Sequence, residues 1–124
     1  MPDDCTILIV EDDALIAQSL KLTVEDLGYV VCGVADNATL AVEIARRERP
    51  KVVLMDVRLR GRGDGVDAAL TMHGEGAPLI IFITGSNEPE MRERISQDHA
   101  SALLIKPILP NQLEDALRQV LAGT

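Results

Sequence analysis

"KVVLMD", residues 51–56, sets an unbroken apolar run between a lysine and an aspartate. A strand with one wet face alternates apolar and polar residues. A run that does not alternate suits a strand covered on both faces, as in a parallel sheet. The same texture recurs in "CTILIV" (5–10), "PLIIFIT" (78–84) and "ASALLIK" (100–106). A fifth run, "YVVCGVA" (29–35), is weaker because Gly33 interrupts it.

Helical spacing fills the gaps between these runs. From Ala14 to Leu27, the residues Ile16, Leu20, Val24 and Leu27 share one face, Asp13 suits the N-cap and Gly28 the stop. Leu40, Ala41, Ile44 and Ala45 form a second stripe, with Asn37 or Asp36 as N-cap and Pro50 beyond its end. Asp64 suits the start of a third, short helix through Val66, Ala69 and Leu70, and "NEPEMRERISQD" (87–98) reads as a polar fourth. Pro110 opens a fifth, where Leu113, Ala116, Leu117, Val120 and Leu121 recur at helical spacing. Strand and helix thus alternate five times along the chain. Such alternation predicts an α/β fold: right-handed crossovers, a parallel sheet and helices on both faces.

Composition narrows the classes. The length of 124 residues fits one domain, and 47% hydrophobic residues suffice for a core. A short basic stretch, "RLRGRG" (58–63), suggests phosphate or nucleic acid, but the chain around it carries a net charge of -8. Nucleic-acid binding normally needs a positive face, so no nucleic-acid partner is expected. No apolar run is long enough to span a membrane, and the acidic start is unlike a secretion signal. Cys5 and Cys32 have no metal-ligand spacing. They read as reduced thiols in a cytoplasmic protein.

In a parallel α/β sheet, the functional crevice lies beyond the carboxyl ends of the strands. Polar groups stand at those places here. "VEDD" follows the first run with Glu11, Asp12 and Asp13; Asp56 ends the third, Thr84 the fourth and Lys106 the fifth. Each has an ordinary alternative, as a helix cap, a solvated loop acid or a surface lysine; together on one sheet edge they suggest a site. Carboxylates brought that close repel, so a cation, a raised pKa or both must offset them. An all-oxygen donor set with room for water suits Mg²⁺, whereas zinc would call for His or Cys. His73 and His99 lie elsewhere in the chain and read as surface residues. A carboxylate beside Mg²⁺ is also a competent nucleophile toward phosphorus. The Lys106 ammonium and Thr84 hydroxyl are then candidates to neutralise and hydrogen-bond phosphoryl oxygens.

At these residues the chain resembles the receiver domain of bacterial response regulators in two-component signalling. The ordered set "ILIVEDD", "VVLMD", "IIFITG" and "LLIKP" carries the resemblance across the whole chain. It implies a flavodoxin-like (βα)5 three-layer sandwich with a five-stranded parallel sheet in the order 2-1-3-4-5. Asp56 would accept a phosphoryl group from a sensor histidine kinase or phosphotransfer protein. Mg²⁺ would be held by Glu11, Asp12, Asp56 and the backbone carbonyl of Arg58, with Asp12 the preferred direct ligand of the acidic pair. Thr84 matches the switch hydroxyl and Lys106 the phosphate-binding lysine, with a cis Lys106–Pro107 bond expected. Arg58 and Ser86 would modulate dephosphorylation. Such a domain is a phosphoacceptor with self-catalysed transfer and autodephosphorylation rather than an enzyme on an external substrate. A downstream protein would bind the face of the fourth helix, fifth strand and fifth helix. With Thr124 just after the fifth helix, residues 1–124 are expected to be a stand-alone receiver, acting by contact or as a phosphate sink. "RLRGRGDGVDAA" is similar to receivers of alphaproteobacterial stress and light signalling.

Departures from the family pattern mark where this chain should differ. Leu103 replaces the aromatic three residues before the lysine, which modulates how the switch is read out. Arg60 stands where proline is common, Gly65 comes one place late, and Gly85 replaces the alanine after Thr84. The loop from Leu59 to Gly65 is therefore expected to follow a different path. The missing aromatic and the altered loop favour an alternative reading, a phosphorylation-independent pseudo-receiver binding module, while the intact acidic pair, Asp56, Thr84 and Lys106 oppose it. A Mg²⁺-dependent phosphatase would need a second acid where Arg58 stands. A flavin site would lack stacking aromatics, since the chain has one Tyr, one Phe and no Trp.

Overall fold

The structure is a computed structural model, and it describes residues 7–56, 79–84, 102–105 and 108–122. Within them the chain runs β1 (Ile7–Val10), α1 (Ala14–Asp26), β2 (Val31–Ala35), α2 (Ala38–Glu48), β3 (Val52–Asp56), β4 (Leu79–Thr84), β5 (Ala102–Ile105) and α3 (Pro110–Ala122). The five strands pair in parallel in the order β2-β1-β3-β4-β5. The third and fourth helices expected from the sequence, and the loop from Leu59 to Gly65, lie outside the described residues.

Successive strand residues point to opposite faces of a sheet, and the core divides accordingly. Leu8, Val10, Val53, Met55, Ile80 and Phe82 face one way and pack with Ala38, Ala41 and Ile44 of α2. Ile7, Ile9, Val52, Leu54, Ile81 and Ile83 face the other way, under Leu20 and Val24 of α1 and Leu113, Ala116, Leu117 and Val120 of α3. Helices on both faces make three layers, and this is why the central strands could not alternate in polarity.

The helix ends follow their local chemistry. Asp13 caps α1, accepting the N–H groups of Leu15 at 2.9 Å and Ile16 at 3.1 Å. At its other end Gly28 adopts φ +98, the Gly28 N–H bonds the Glu25 carbonyl, and the Tyr29 N–H bonds the Val24 carbonyl. This paired closure needs a left-handed residue, which glycine supplies without a Cβ penalty. Of the two candidate caps for α2, Asn37 is the cap: its Oδ1 accepts the Leu40 N–H at 2.9 Å. Asp36 instead accepts a hydrogen bond from Asn37 Nδ2 at 2.7 Å. Asn37→Ala is expected to cost about 1 kcal/mol of stability by urea unfolding, the usual value of such a cap.

β2 is irregular for a visible reason. Ile7 pairs with Val31 but Leu8 pairs with Gly33, so the register slips by one residue and the edge strand bulges. A Cβ on Gly33 would stand 3.1 Å from Ile44 Cγ2, and Ile44 is buried against the sheet. Gly33→Val is therefore expected to lower unfolding stability by about 1–3 kcal/mol, the range for overpacking a core. A smaller side chain at position 44 should recover part of that loss.

Candidate functional site

β1 and β3 are neighbours, with β2 beyond β1 and β4 beyond β3. Chain order reverses between them, and in open parallel sheets that switch point is where the crevice forms at the carboxyl ends. Val10 pairs with Met55, so Glu11 and Asp12 leave β1 beside Asp56 at the end of β3. The β1–β2 ladder continues one step past β1, with the Glu11 N–H on the Ala35 carbonyl at 2.9 Å, which fixes the backbone at the crevice.

The side chains converge as the sequence led us to expect. One carboxylate oxygen from each of Glu11, Asp12 and Asp56 lies within 4.8 Å of the others. Glu11 is 2% exposed and Asp56 5%, while Asp12 is half-buried. Asp13, the other acid of the "VEDD" run, is occupied with its helix cap. Glu11 Oε1 also accepts the Asp13 N–H at 3.2 Å, so the buried glutamate is tied to the turn into α1. Six-coordinate Mg²⁺ holds its oxygens at about 2.0–2.1 Å, which sets ligand oxygens roughly 3–4 Å apart. The three carboxylates, within 4.8 Å of one another, stand close to that separation, and the donor set is the hard oxygen type that Mg²⁺ selects.

The remaining site residues divide between described and undescribed positions. Asp56 pairs with Ile83, placing the backbone of Thr84 next along β4, and Thr84 pairs with Ile105, the residue before Lys106. Leu103 lies on β5, paired with Phe82. Arg58, Ser86, Lys106 and Pro107, with the cis bond expected there, lie outside the described residues. One residue had not been singled out for the site. Asp36 follows β2 as Asp56 ends β3, and it lines a cleft of about 380 Å³ shared with Glu11 and Asp12. The strand-end rule applied to the weaker "YVVCGVA" run would have found it.

Residues 7–118 match the response regulator receiver domain. The chain belongs to that family. Among curated relatives, the receiver is 34% identical over 111 residues to transcriptional regulatory protein PdtaR of Mycobacterium tuberculosis, covering 90% of this chain and 54% of that protein. It is 36% identical over 116 residues to the phyllosphere-induced regulator PhyR of Methylorubrum extorquens, covering 93% of this chain and 43% of that protein. The chain thus spans about half the length of these relatives. In three dimensions it resembles the signal receiver domain of a modulated diguanylate cyclase from Desulfovibrio desulfuricans G20, with a TM-score of 0.89 and 36% identity over 95% of this chain and 94% of that one. The flavodoxin-like receiver fold expected from the sequence is the fold the chain adopts. Among the described residues no helix is long and apolar enough to cross a membrane.

Proposed function

We propose that this receiver accepts a phosphoryl group on Asp56 from the phosphohistidine of a sensor kinase or phosphotransfer protein. The observation that carries the proposal is the buried Asp56 carboxylate gathered with Glu11 and Asp12 at the switch point of the sheet. An Asp56 oxygen attacks phosphorus, the new O–P bond forms as the P–N bond breaks, and the electron pair leaves with the imidazole nitrogen. Glu11, Asp12, Asp56 and the Arg58 carbonyl would hold Mg²⁺, which would supply charge neutralisation to the phosphoryl oxygens. Thr84 donates a hydrogen bond to one phosphoryl oxygen and Lys106 pairs with another. Arg58 and Ser86, two places beyond Asp56 and Thr84 in sequence, modulate dephosphorylation.

The added charge is local and its readout distant: Thr84 is drawn toward the phosphate, and the face of the fourth helix, β5 and α3 changes for a downstream protein. Incubation with a phosphorylated sensor kinase and Mg²⁺, followed by intact mass, tests the donor. A chain that gains no phosphoryl group from any histidine-phosphorylated protein is not a receiver of this kind.

Leu103 on β5 favours a second reading, a binding module that works without phosphate, because the position three residues before Lys106 has no ring to reorient. Calorimetric titration with Mg²⁺ separates the two. A phosphoacceptor binds the ion at the acidic cluster, and a pure scaffold has no need to.

A further inference from the structure

Apart from Glu11 and Asp12, the residues lining the cleft on the β2 side of the acidic cluster have no part in the phosphoacceptor chemistry. It opens between α1, the end of β2 and the start of α2, and its volume of about 380 Å³ is that of a small-ligand site. Ala17, Val34 and Leu40 give it apolar walls, and Asp36 adds a carboxylate, with Glu11 and Asp12 on the side shared with the cluster. Asp36 is exposed and held in place, because Asn37 donates to its Oδ1 at 2.7 Å while capping α2 with its own oxygen.

We propose that this cleft is a docking pocket for one arginine side chain of a protein partner. Every titratable group among the described residues of its lining is acidic, and the whole chain carries a net charge of -8. The Asp36 carboxylate favours a cationic occupant, and the walls favour one apolar enough along its length to cover Ala17, Val34 and Leu40. An arginine has that build: an aliphatic stem that packs on apolar surface, and a weakly hydrated planar head that forks onto a carboxylate. Its guanidinium lies against Asp36. Because Glu11 and Asp12 belong to both sites, a cation in the cleft and Mg²⁺ in the cluster oppose each other, and each lowers the other's affinity by the same factor.

The test is an amide ¹H–¹⁵N NMR titration of the full chain with N-acetyl-arginine amide, beside its neutral isostere N-acetyl-citrulline amide. Without metal, the arginine compound is expected to shift the amides of Val34, Asp36 and Leu40 saturably, with a dissociation constant in the millimolar range, and the citrulline compound to bind more weakly. Asp36→Asn keeps the oxygen that accepts from Asn37 and removes only the charge. It is expected to weaken arginine binding by about two- to fivefold, as for an exposed ion pair. Saturating Mg²⁺ should weaken it as well. Equal binding of the citrulline compound, shifts confined to other parts of the chain, or an unchanged affinity in Asp36→Asn would each overturn the pocket, and indifference to Mg²⁺ would overturn the coupling. The first comparisons are made without metal, so they stand or fall independently of whether Asp56 takes phosphate.

Discussion

Asp56→Asn is expected to leave the chain folded and to abolish phosphoryl incorporation from acetyl phosphate and Mg²⁺, measured by intact mass. Asparagine has nearly the same shape, so it keeps the volume at the end of β3, where the side chain is 5% exposed. Its amide, however, lacks the anionic oxygen needed to form the acyl phosphate, so the expected loss is complete rather than graded. Asp13→Asn makes the matched control. Asp13 is the same residue type on the same edge of the sheet, but its side chain caps α1, and asparagine caps nearly as well. That variant should still gain one phosphoryl group. An adduct that persists in Asp56→Asn would move the chemistry to another residue and overturn the assignment.

What could be read from the sequence, and what could not, follows from what each residue has to satisfy. The central strands were legible because β1, β3 and β4 are covered on both faces, which forces unbroken apolar runs such as Val52 to Met55. β2 was harder because an edge strand is only partly covered, and its bulge and close approach to Ile44 put a glycine where the pattern wants a branched residue. The α2 cap was ambiguous because Asp36 and Asn37 are both good capping residues, and only the backbone decides which one reaches the Leu40 N–H. The acidic cluster was legible because strand ends in a parallel sheet share one edge, so Glu11, Asp12 and Asp56 meet although some 45 positions separate them in sequence. The cleft beside it was not. A cavity is a property of what fails to fill space between α1 and α2, and no local pattern records that.

Mg²⁺ is expected to stabilise the folded chain through that cluster, and the gain should vanish in Asp12→Ala. An ion that binds the native state and not the unfolded chain adds about 2.7 kcal/mol at a hundredfold excess over its dissociation constant. For a domain of this size that is roughly a 10 °C rise in Tm, readable by calorimetry. Asp12 is the side chain to remove because it is half-buried, whereas Glu11 is 2% exposed and also holds the Asp13 N–H. Replacing Glu11 would therefore disturb the turn and the metal together. A rival explanation needs its own control, since a chain of net charge -8 gains stability from any salt that screens its self-repulsion. Choline chloride at matched ionic strength supplies the screening without a ligand for the carboxylates. Screening predicts similar gains from both salts and in both proteins. Binding at the cluster predicts a gain specific to Mg²⁺ in the wild type, reversed by chelator, and only the common screening gain in Asp12→Ala. Equal responses of wild type and variant to Mg²⁺ would remove the metal from Glu11, Asp12 and Asp56.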